Sequence, residues 1–451
     1  MKRRAFLFGA AGMMSPWMLK AATGTPGNAS ALSAGKQVFA HYMVAWPRGG
    51  PHATIDDYIA EFRDAQRCGI DGFSLNCGGW HRSEPLYRAR VLEMYRAAAE
   101  YEKDFKLFVS ADGNAQNELG DIIDMTGGLP AQLSVAGRPV LSAYALGGRV
   151  EARREALMMQ AKSLGAYFVP HFAPSTGESE IDIARAKEVV ARSEAADGYF
   201  YFGAAGAPDL IARSTERLAA ALRTAGKVFM APVTPYYRGL SSGTNNRVFE
   251  TGGFSGMATE WLSAIKSNAD WVQIVTWNDW AESTYVAPIG ASTRAQIYDP
   301  RFGALPNHDS YLNASRYFNE WFKRGNAPTI TCDALYYFYR LHPVRGDTQT
   351  GAASAPRSSA PLTANVHVTT FLEAPATLEI IQGAPSTAHE LPAGYSEVAV
   401  PAYPGKPRFR LSRNGCTIAD KTGEEAISLN DFSGAFNYFS GTSDLGRCRK
   451  R

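Results

Sequence analysis

The chain has 451 residues and a mass of 48.9 kDa, enough for one large domain of about 250–300 residues plus a smaller one. Hydrophobic residues make up 45% and charged residues 20%, which excludes wholesale disorder, and aromatics at 12% can serve both a core and a ring-lined binding surface. The formal charge of +3 rests on the first 22 residues, which carry Lys2, Arg3, Arg4, Lys20 and no acid; the remainder holds 42 basic against 43 acidic residues, so a general attraction to nucleic acid has no support.

Residues 1–22 have the order of an export signal: basic start, apolar run from Ala5 to Met14, then the small pair Ala21-Ala22. Arg3-Arg4-Ala5-Phe6-Leu7 resembles a bacterial twin-arginine signal, which implies a periplasmic or extracellular protein; the competing reading is an ordinary cytosolic start. The stretch is too short and interrupted to span a membrane, and no later run is long enough, so no stable membrane insertion is expected. The five cysteines, Cys68, Cys77, Cys332, Cys416 and Cys448, form no close metal-type pair. Export permits disulfides. A Cys68–Cys77 bridge is conceivable, but burial as a thiol is the expectation for Cys68, and pairing of Cys416 with Cys448 stays open.

Eight apolar runs then alternate with helical patterns. QVFAHYMV (37–44) precedes a helix over 54–69, with Thr54 as N-cap and Gly69 as stop. DGFSLN (71–76) precedes a helix over 85–101. Residues 105–110 form a third strand before a partly helical 121–133. PVLSAY (139–144) is followed by a helix over 150–164, and YFVPHF (167–172) by one over 181–193. Strands at 198–202 and 227–233 precede helices over 209–224 and 254–267. WVQIVTW (271–277) is the eighth strand, and residues 309–324 supply the last helix. The strands are apolar without strict alternation, as strands covered on both faces are. The expected architecture is an α/β (β/α)8 TIM barrel over 35–326. An open doubly wound sheet competes, but no glycine fingerprint follows the first strand.

Short β runs dominate from 330 to 443: ALYYFYR, VHVTTFL, ATLEIIQ, SEVAVP and RFRLSR, with Asn414-Gly415 as a hairpin turn. They predict a small antiparallel β-sandwich that packs on the barrel as a stability element. Residues 346–363 read as a flexible insert and 444–451 as a tail.

Chemistry in such a barrel sits at the C-terminal ends of the strands. There lie His41, Tyr42 and Trp46 after strand one, and Asn76 and Trp80 after strand two. Asp112 follows strand three, Tyr144 strand four and His171 strand five; Thr234, Tyr236 and Tyr237 follow strand seven. Trp277-Asn278-Asp279-Trp280-Ala281-Glu282-Ser283 follows strand eight. Rings alternating with amides and carboxylates suit a sugar, whose C–H faces rest on aromatics. Asp279 and Glu282 are the sharpest pair, since cleaving an acetal needs a proton donor and a second carboxylate. The plain alternative is a turn in which Asp279 caps a helical start. Asp112 competes as a turn cap, and His41 and His171 as buried structural residues. No H-x-H or H-E-x-x-H motif marks a metal site, and no G-x-S-x-G follows a strand.

The stretches QVFAHYMVAWP, GIDGFSLNCGGW, FKLFVSAD and VQIVTWNDWAESTYVAPI resemble glycoside hydrolase family 71, the α-1,3-glucanases or mutanases. ALYYFYRLHP and LSRNGCTIADKTG resemble the family's C-terminal β region. The resemblance implies endo-hydrolysis of α-1,3-glucan with inversion and without metal or organic cofactor. It puts catalysis on Asp279 and Glu282, with Glu282 taken as acid and Asp279 as base, an order the sequence leaves open. It lines the subsites with His41, Asn76, Asp112, His171, Tyr236, Trp277 and Asn278; Tyr42, Trp46, Trp80 and Trp280 join them from their strand-end positions. Residues 113–133 are compressed and 198–206 only loosely family-like. The N-D-W-A-E core also resembles N-E-W-H-E of family 99, the endo-α-mannosidases and mannanases, which is the enzymatic alternative. An exported carbohydrate-binding protein without activity is the other.

Overall fold

Alternation of buried apolar runs with amphipathic helices curls this chain around a single parallel sheet. The computed structural model describes residues 35–81, 85–101, 103–172, 178–239, 246–289, 305–343, 357–358, 361–430 and 437–443. The expected signal at 1–22, the tail at 444–451 and most of the insert at 346–363 lie outside them. Strand β1 (Gln37–Met43) leads to helix α1 (Ile55–Arg67), β2 (Gly72–Cys77) to α2 (Pro85–Glu100), and β3 (Lys106–Ala111) through a 3-10 turn (Gly113–Asn117) to α3 (Leu119–Thr126). A short hairpin joins β4 (Ser134–Val135) to β5 (Arg138–Ala143), before α4 (Glu151–Ser163). Then come β6 (Tyr167–Pro170), α5 (Ile183–Arg192), β7 (Gly198–Phe200), α6 (Pro208–Thr224) and β8 (Val228–Val233). The ribbon β9 (Tyr237–Arg238) and β10 (Val248–Phe249) precedes α7 (Ser255–Lys266), β11 (Trp271–Ile274) and α8 (Asp309–Arg324).

The parallel order is β7-β8-β11-β1-β2-β3-β5, with β6 paired to β5. The first and last of the eight runs, β1 and β11, are therefore neighbours, in register from Gln37 opposite Trp271 to Ala40 opposite Ile274. The expectation of a barrel is met as far as a mixed α/β fold with a curled parallel sheet. Between β6 and β7 no ladder forms among the described residues; the Asp197 N–H reaches the Phe168 carbonyl across the seam at 2.9 Å. β7 is three residues long, and β6 ends on Pro170, which has no N–H to donate.

Period-two alternation sorts side chains to the two faces of the curl. Inside, Phe39, Phe108, Val140, Val169, Phe200, Met230 and Trp271 form one buried cluster, with Tyr144 and Phe202 against it. Outside, Val38, Ala40, Tyr42, Phe73, Leu75 and Val109 pack with the helices. Thr54 caps α1 in a reciprocal box with Asp57, as its spacing predicts. Cys68 and Cys77 are separate buried thiols, so the conceivable bridge between them is not formed; Cys416 is an exposed thiol and Cys332 is disulfide-bonded. None of the described helices is long and apolar enough to cross a membrane.

The C-terminal β runs form β12 (Ala334–Arg340), β13 (Asn365–Leu372), β14 (Ala376–Ile381), β15 (Ser386–Leu391), β16 (Gly394–Pro401), β17 (Arg408–Arg413), β18 (Cys416–Thr422) and β19 (Tyr438–Ser443). They make two antiparallel sheets, β16-β13-β12-β19 and β15-β14-β17-β18, which share the core of Leu335, Tyr337, Val366, Val368, Leu378, Ile380, Phe409, Leu411 and Phe439. Asn414 and Gly415, at φ 51° and 77°, turn the β17–β18 hairpin in the left-handed conformations that an Asn-Gly pair allows.

A buried ion pair ties these sheets to the curled one. The Arg340 guanidinium donates to Glu250 Oε2 at 2.9 Å and to the Tyr236 hydroxyl at 2.8 Å. Burial alone would raise the Glu250 carboxyl. The Arg340 charge, the Tyr438 hydroxyl and the N–H groups of Thr363 and Gly252 overturn that and hold it at about 2. A depressed acid contributes stability above its unfolded value, and loses it as pH falls from about 4.5 toward about 2. Glu250→Gln leaves Arg340 buried without its counter-charge and is expected to cost about 3–5 kcal/mol. Urea unfolding at neutral pH measures this, and the deficit of the variant should shrink toward pH 2.

Candidate active site

The chain leaves β11 into a loop closed on itself. The Thr276 N–H donates to the Thr284 carbonyl at 2.9 Å, and the two threonine hydroxyls pair at 2.9 Å. Thr276 Oγ1 also accepts the Asp279 N–H at 2.8 Å, and Asp279 Oδ1 accepts the Glu282 N–H at 3.0 Å. Asp279 thus does cap the turn, as the plain alternative required, but it is only 6% exposed. A solvated cap is not what this is. Burial, then the neighbouring Glu282 charge, holds the Asp279 carboxyl well above the usual range. The sequence expectation had Asp279 as base; in the free protein its environment favours the protonated form. Glu282 is half-buried, and its Oε1 accepts the Tyr237 hydroxyl at 2.9 Å. Arg247 lies over the Tyr237 ring and donates to its hydroxyl at 3.3 Å.

Tyr144 stands among the carboxyls. Its hydroxyl is pushed up by burial first, then by the charges of Glu282, Asp112 and Asp279. Its ring stacks on His171, with centroids 5.4 Å apart, and meets Phe202 at 4.8 Å. His41 meets Phe202 edge-on at 5.1 Å. Burial pulls His41 down to about 3 and His171 to about 4, so both are neutral near pH 7. His171 Nδ1 lies 3.2 Å from the Phe200 carbonyl, which makes that nitrogen the protonated one. Asn76 donates to Asp112 Oδ2 at 3.3 Å, while Asp112 Oδ1 caps the Gly113 N–H at 2.7 Å. Burial raises the Asp112 carboxyl too. The structure therefore gathers His41, Asn76, Asp112, His171, Asp279 and Glu282 at one end of the curl.

Six of the expected residues lie away from this group or spend their polar atoms on the scaffold. Tyr42 and Trp277 point to the outer face of the sheet, where their polar atoms donate to the two oxygens of Glu61 at 3.0 and 2.5 Å. Asn278 spends its amide on backbone: Oδ1 accepts the Met43 N–H at 2.7 Å, and Nδ2 donates to the carbonyls of Met43 and Trp46. Trp280 is fully buried and donates to the Trp46 carbonyl at 3.1 Å; Trp80 is fully buried in the outer core. Tyr236 faces Arg340 and Tyr438 at the junction with the C-terminal sheets. Half-buried Trp46 contributes the carbonyl that Asn278 and Trp280 share. Tyr144 and Tyr237, both placed at strand ends by the sequence, stand with these residues, and Phe202, which the sequence reading did not single out, joins them. Nothing in Tyr236-Tyr237 tells which ring turns to the carboxylate.

The model of glycosyl hydrolase family 71 matches residues 34–447. The chain belongs to glycosyl hydrolase family 71. It is similar to a mutanase of Penicillium rubens, 28% identical over 425 residues, covering 91% of this chain and 88% of that protein. It is also similar to a glucan endo-1,3-alpha-glucosidase of Schizosaccharomyces pombe, 25% identical over 432 residues, covering 91% and 95%. Among solved structures, a family 99 endo-alpha-mannosidase of Bacteroides thetaiotaomicron matches with a TM-score of 0.48 and 14% identity, covering 64% of this chain and 98% of that one.

The two adjacent tyrosines bond to different partners, Tyr237 to the Glu282 carboxylate and Tyr236 to Arg340. Tyr237→Phe removes a hydrogen bond to a carboxylate and should lower kcat by about tenfold or more, since such bonds are worth about 1.5–3 kcal/mol. Tyr236→Phe should leave kcat within about twofold and lower stability by about 1–3 kcal/mol instead. Steady-state kinetics and thermal melts of the two variants, run side by side, check the assignment.

Proposed function

We propose that this family 71 hydrolase cleaves α-1,3-glucan within the chain, with inversion at the anomeric carbon, using Asp279 and Glu282 as its carboxyl pair. The observation that carries the reading is the pair itself: a buried Asp279 beside a Glu282 held by Tyr237, next to the ring wall of Tyr144, His171 and Phe202. The names of the two curated relatives supply the substrate class. Hydrolysis needs only protons and water. One carboxylic acid protonates the leaving oxygen as the C–O bond breaks, and the other carboxylate takes a proton from the attacking water. Turnover should fall on the alkaline side once the pair loses the proton that the leaving oxygen needs. That limb lies above the ordinary aspartate range because burial raises Asp279.

In this reading the curled sheet works as a (β/α)8 barrel over 35–326, and residues 330–443 form a β-sandwich domain. Residues 1–22 direct export through a twin-arginine-like start. Replacing Arg3 and Arg4 by lysine should retain the protein in the cytosol, as fractionation would show.

Asp279→Asn and Glu282→Gln should each cut turnover by at least about 10²-fold and leave the fold intact. The wild-type protein should release reducing sugar from α-1,3-glucan and not from dextran, starch, β-1,3-glucan or α-mannan. Proton NMR should find the first product as the β-anomer. Activity on α-mannan alone would favour family 99-like chemistry, and silence on every polymer would favour a binding protein.

A further inference from the structure

The C-terminal sheets reach the catalytic loop through one side chain. Asn437, just before β19, donates from Nδ2 to the hydroxyl of Ser283 at 3.0 Å, across 154 residues of sequence. Both residues are at most 1% exposed. Ser283 directly follows Glu282 and sits at φ 56°, in the left-handed region that residues other than glycine hold only when their surroundings enforce it. The Glu282 carbonyl, on the same C-terminal side, accepts the Arg238 N–H at 2.9 Å, and the Glu282 N–H, on the other side, donates to Asp279 Oδ1 at 3.0 Å. The backbone that carries the Glu282 carboxyl is thus gripped at both ends of the residue.

β19 is itself anchored against the loop. The Ser440 N–H donates to the Asn307 carbonyl at 2.8 Å, and His308 sits between two carbonyls, with Nδ1 3.1 Å from that of Tyr285 and Nε2 2.9 Å from that of Tyr438; burial keeps the ring neutral near pH 7, so it donates to one of them. The His308 ring stacks on Tyr285 at 4.2 Å, and Tyr285 meets Trp280 at 5.0 Å. Residues on both sides of Glu282, Trp280 and Ser283, therefore lead to one strand of the C-terminal sheets.

We propose that Asn437 is a positioning residue: through Ser283 it sets where the Glu282 carboxyl stands, so the C-terminal sheets complete the active site rather than only support it. The proposal rests on Asp279 and Glu282 being the catalytic pair. Displacement of a reacting group by about 1 Å can cost about a hundredfold in rate without changing what the enzyme binds. A purely structural contact would lower stability and leave kcat alone.

The test uses the full-length enzyme and α-1,3-linked gluco-oligosaccharides. Asn437→Ala removes the donor. Ser283→Gly removes the acceptor and suits the left-handed backbone, so it decides the matter by itself should Asn437→Ala fail to fold. Each is expected to lower kcat by at least about tenfold with KM within about twofold, and the double variant to be no slower than the worse single one, because both remove one contact. Arg408→Ala, which breaks an exposed ion pair with Asp420, serves as the control that leaves kcat unchanged. Normal kcat in Ser283→Gly, or losses that multiply in the double variant, would overturn the proposal. Normal turnover in Asp279→Asn or Glu282→Gln would instead sink the catalytic assignment and take this proposal with it.

Discussion

Asn278 joins the two ends of the parallel run. Its side chain takes the Met43 N–H and returns two hydrogen bonds to the carbonyls of Met43 and Trp46, so the loop after β11 is bonded to the loop after β1. Sequence separation there is 235 residues, and closing so long a loop is entropically costly until contacts of this kind offset it. Asp279 is the next residue. Its position is therefore fixed by the closure of the sheet between its first and last runs, not by local turn preference alone. Glu61 acts on the same joint from outside, holding Trp277 and Tyr42 in one layer between sheet and α1.

Those constraints explain why residues near the motif differ so much in role. In Trp277-Asn278-Asp279-Trp280, the side chains of the first, second and fourth are bonded to α1 and to the loop after β1, while the third caps its own turn at the Glu282 N–H beside the Glu282 carboxyl. A buried polar group without a partner is expensive, so a loop that must bury these rings and an amide gives the indole N–H groups and both ends of the amide fixed partners. The consequence is a rigid loop, which is what acid–base chemistry needs from groups that must hold their geometry.

The strand–helix alternation was legible because buried parallel strands are apolar along their whole length, and the eight expected runs match the eight parallel strands within a few residues. The open seam at β6 and β7 was not, since a missing ladder depends on strand length and on Pro170 rather than on periodicity. β15 also escaped the sequence reading, and β18 was legible only through the Asn414-Gly415 turn before it. STAHEL and CTIADKT are mostly exposed edge strands, with little apolar alternation to read. Residue type and strand-end position singled out Asp279, Glu282, Asp112, Asn76, His41 and His171, which the structure brings to one end of the curl. They misplaced Tyr42, Trp277 and Asn278 because one step along a strand exchanges inside for outside, and because a rim amide serves backbone as readily as substrate. Asn437 carries no signal at all in the sequence: its meaning lies in an acceptor 154 residues away.

The protonation of the site works against the stability of the fold at neutral pH. Asp279, Asp112, Glu61 and Glu260 are all raised, in each case by burial first. An acid raised on folding lends stability that is complete below its unfolded value and is lost as pH rises through its folded value. Glu250 runs the other way, lending stability only above its depressed value of about 2. The two sets overlap in acid solution near the unfolded values of these acids, where folded Glu250 is ionised and the raised carboxyls keep their protons in the folded chain. In the proposed mechanism the Asp279 proton also serves the chemistry, because the pair must still hold one to protonate a leaving oxygen. A fold that buries Asp279 deeply enough to keep that proton therefore ties its acid–base readiness and its stability to the same side of neutrality.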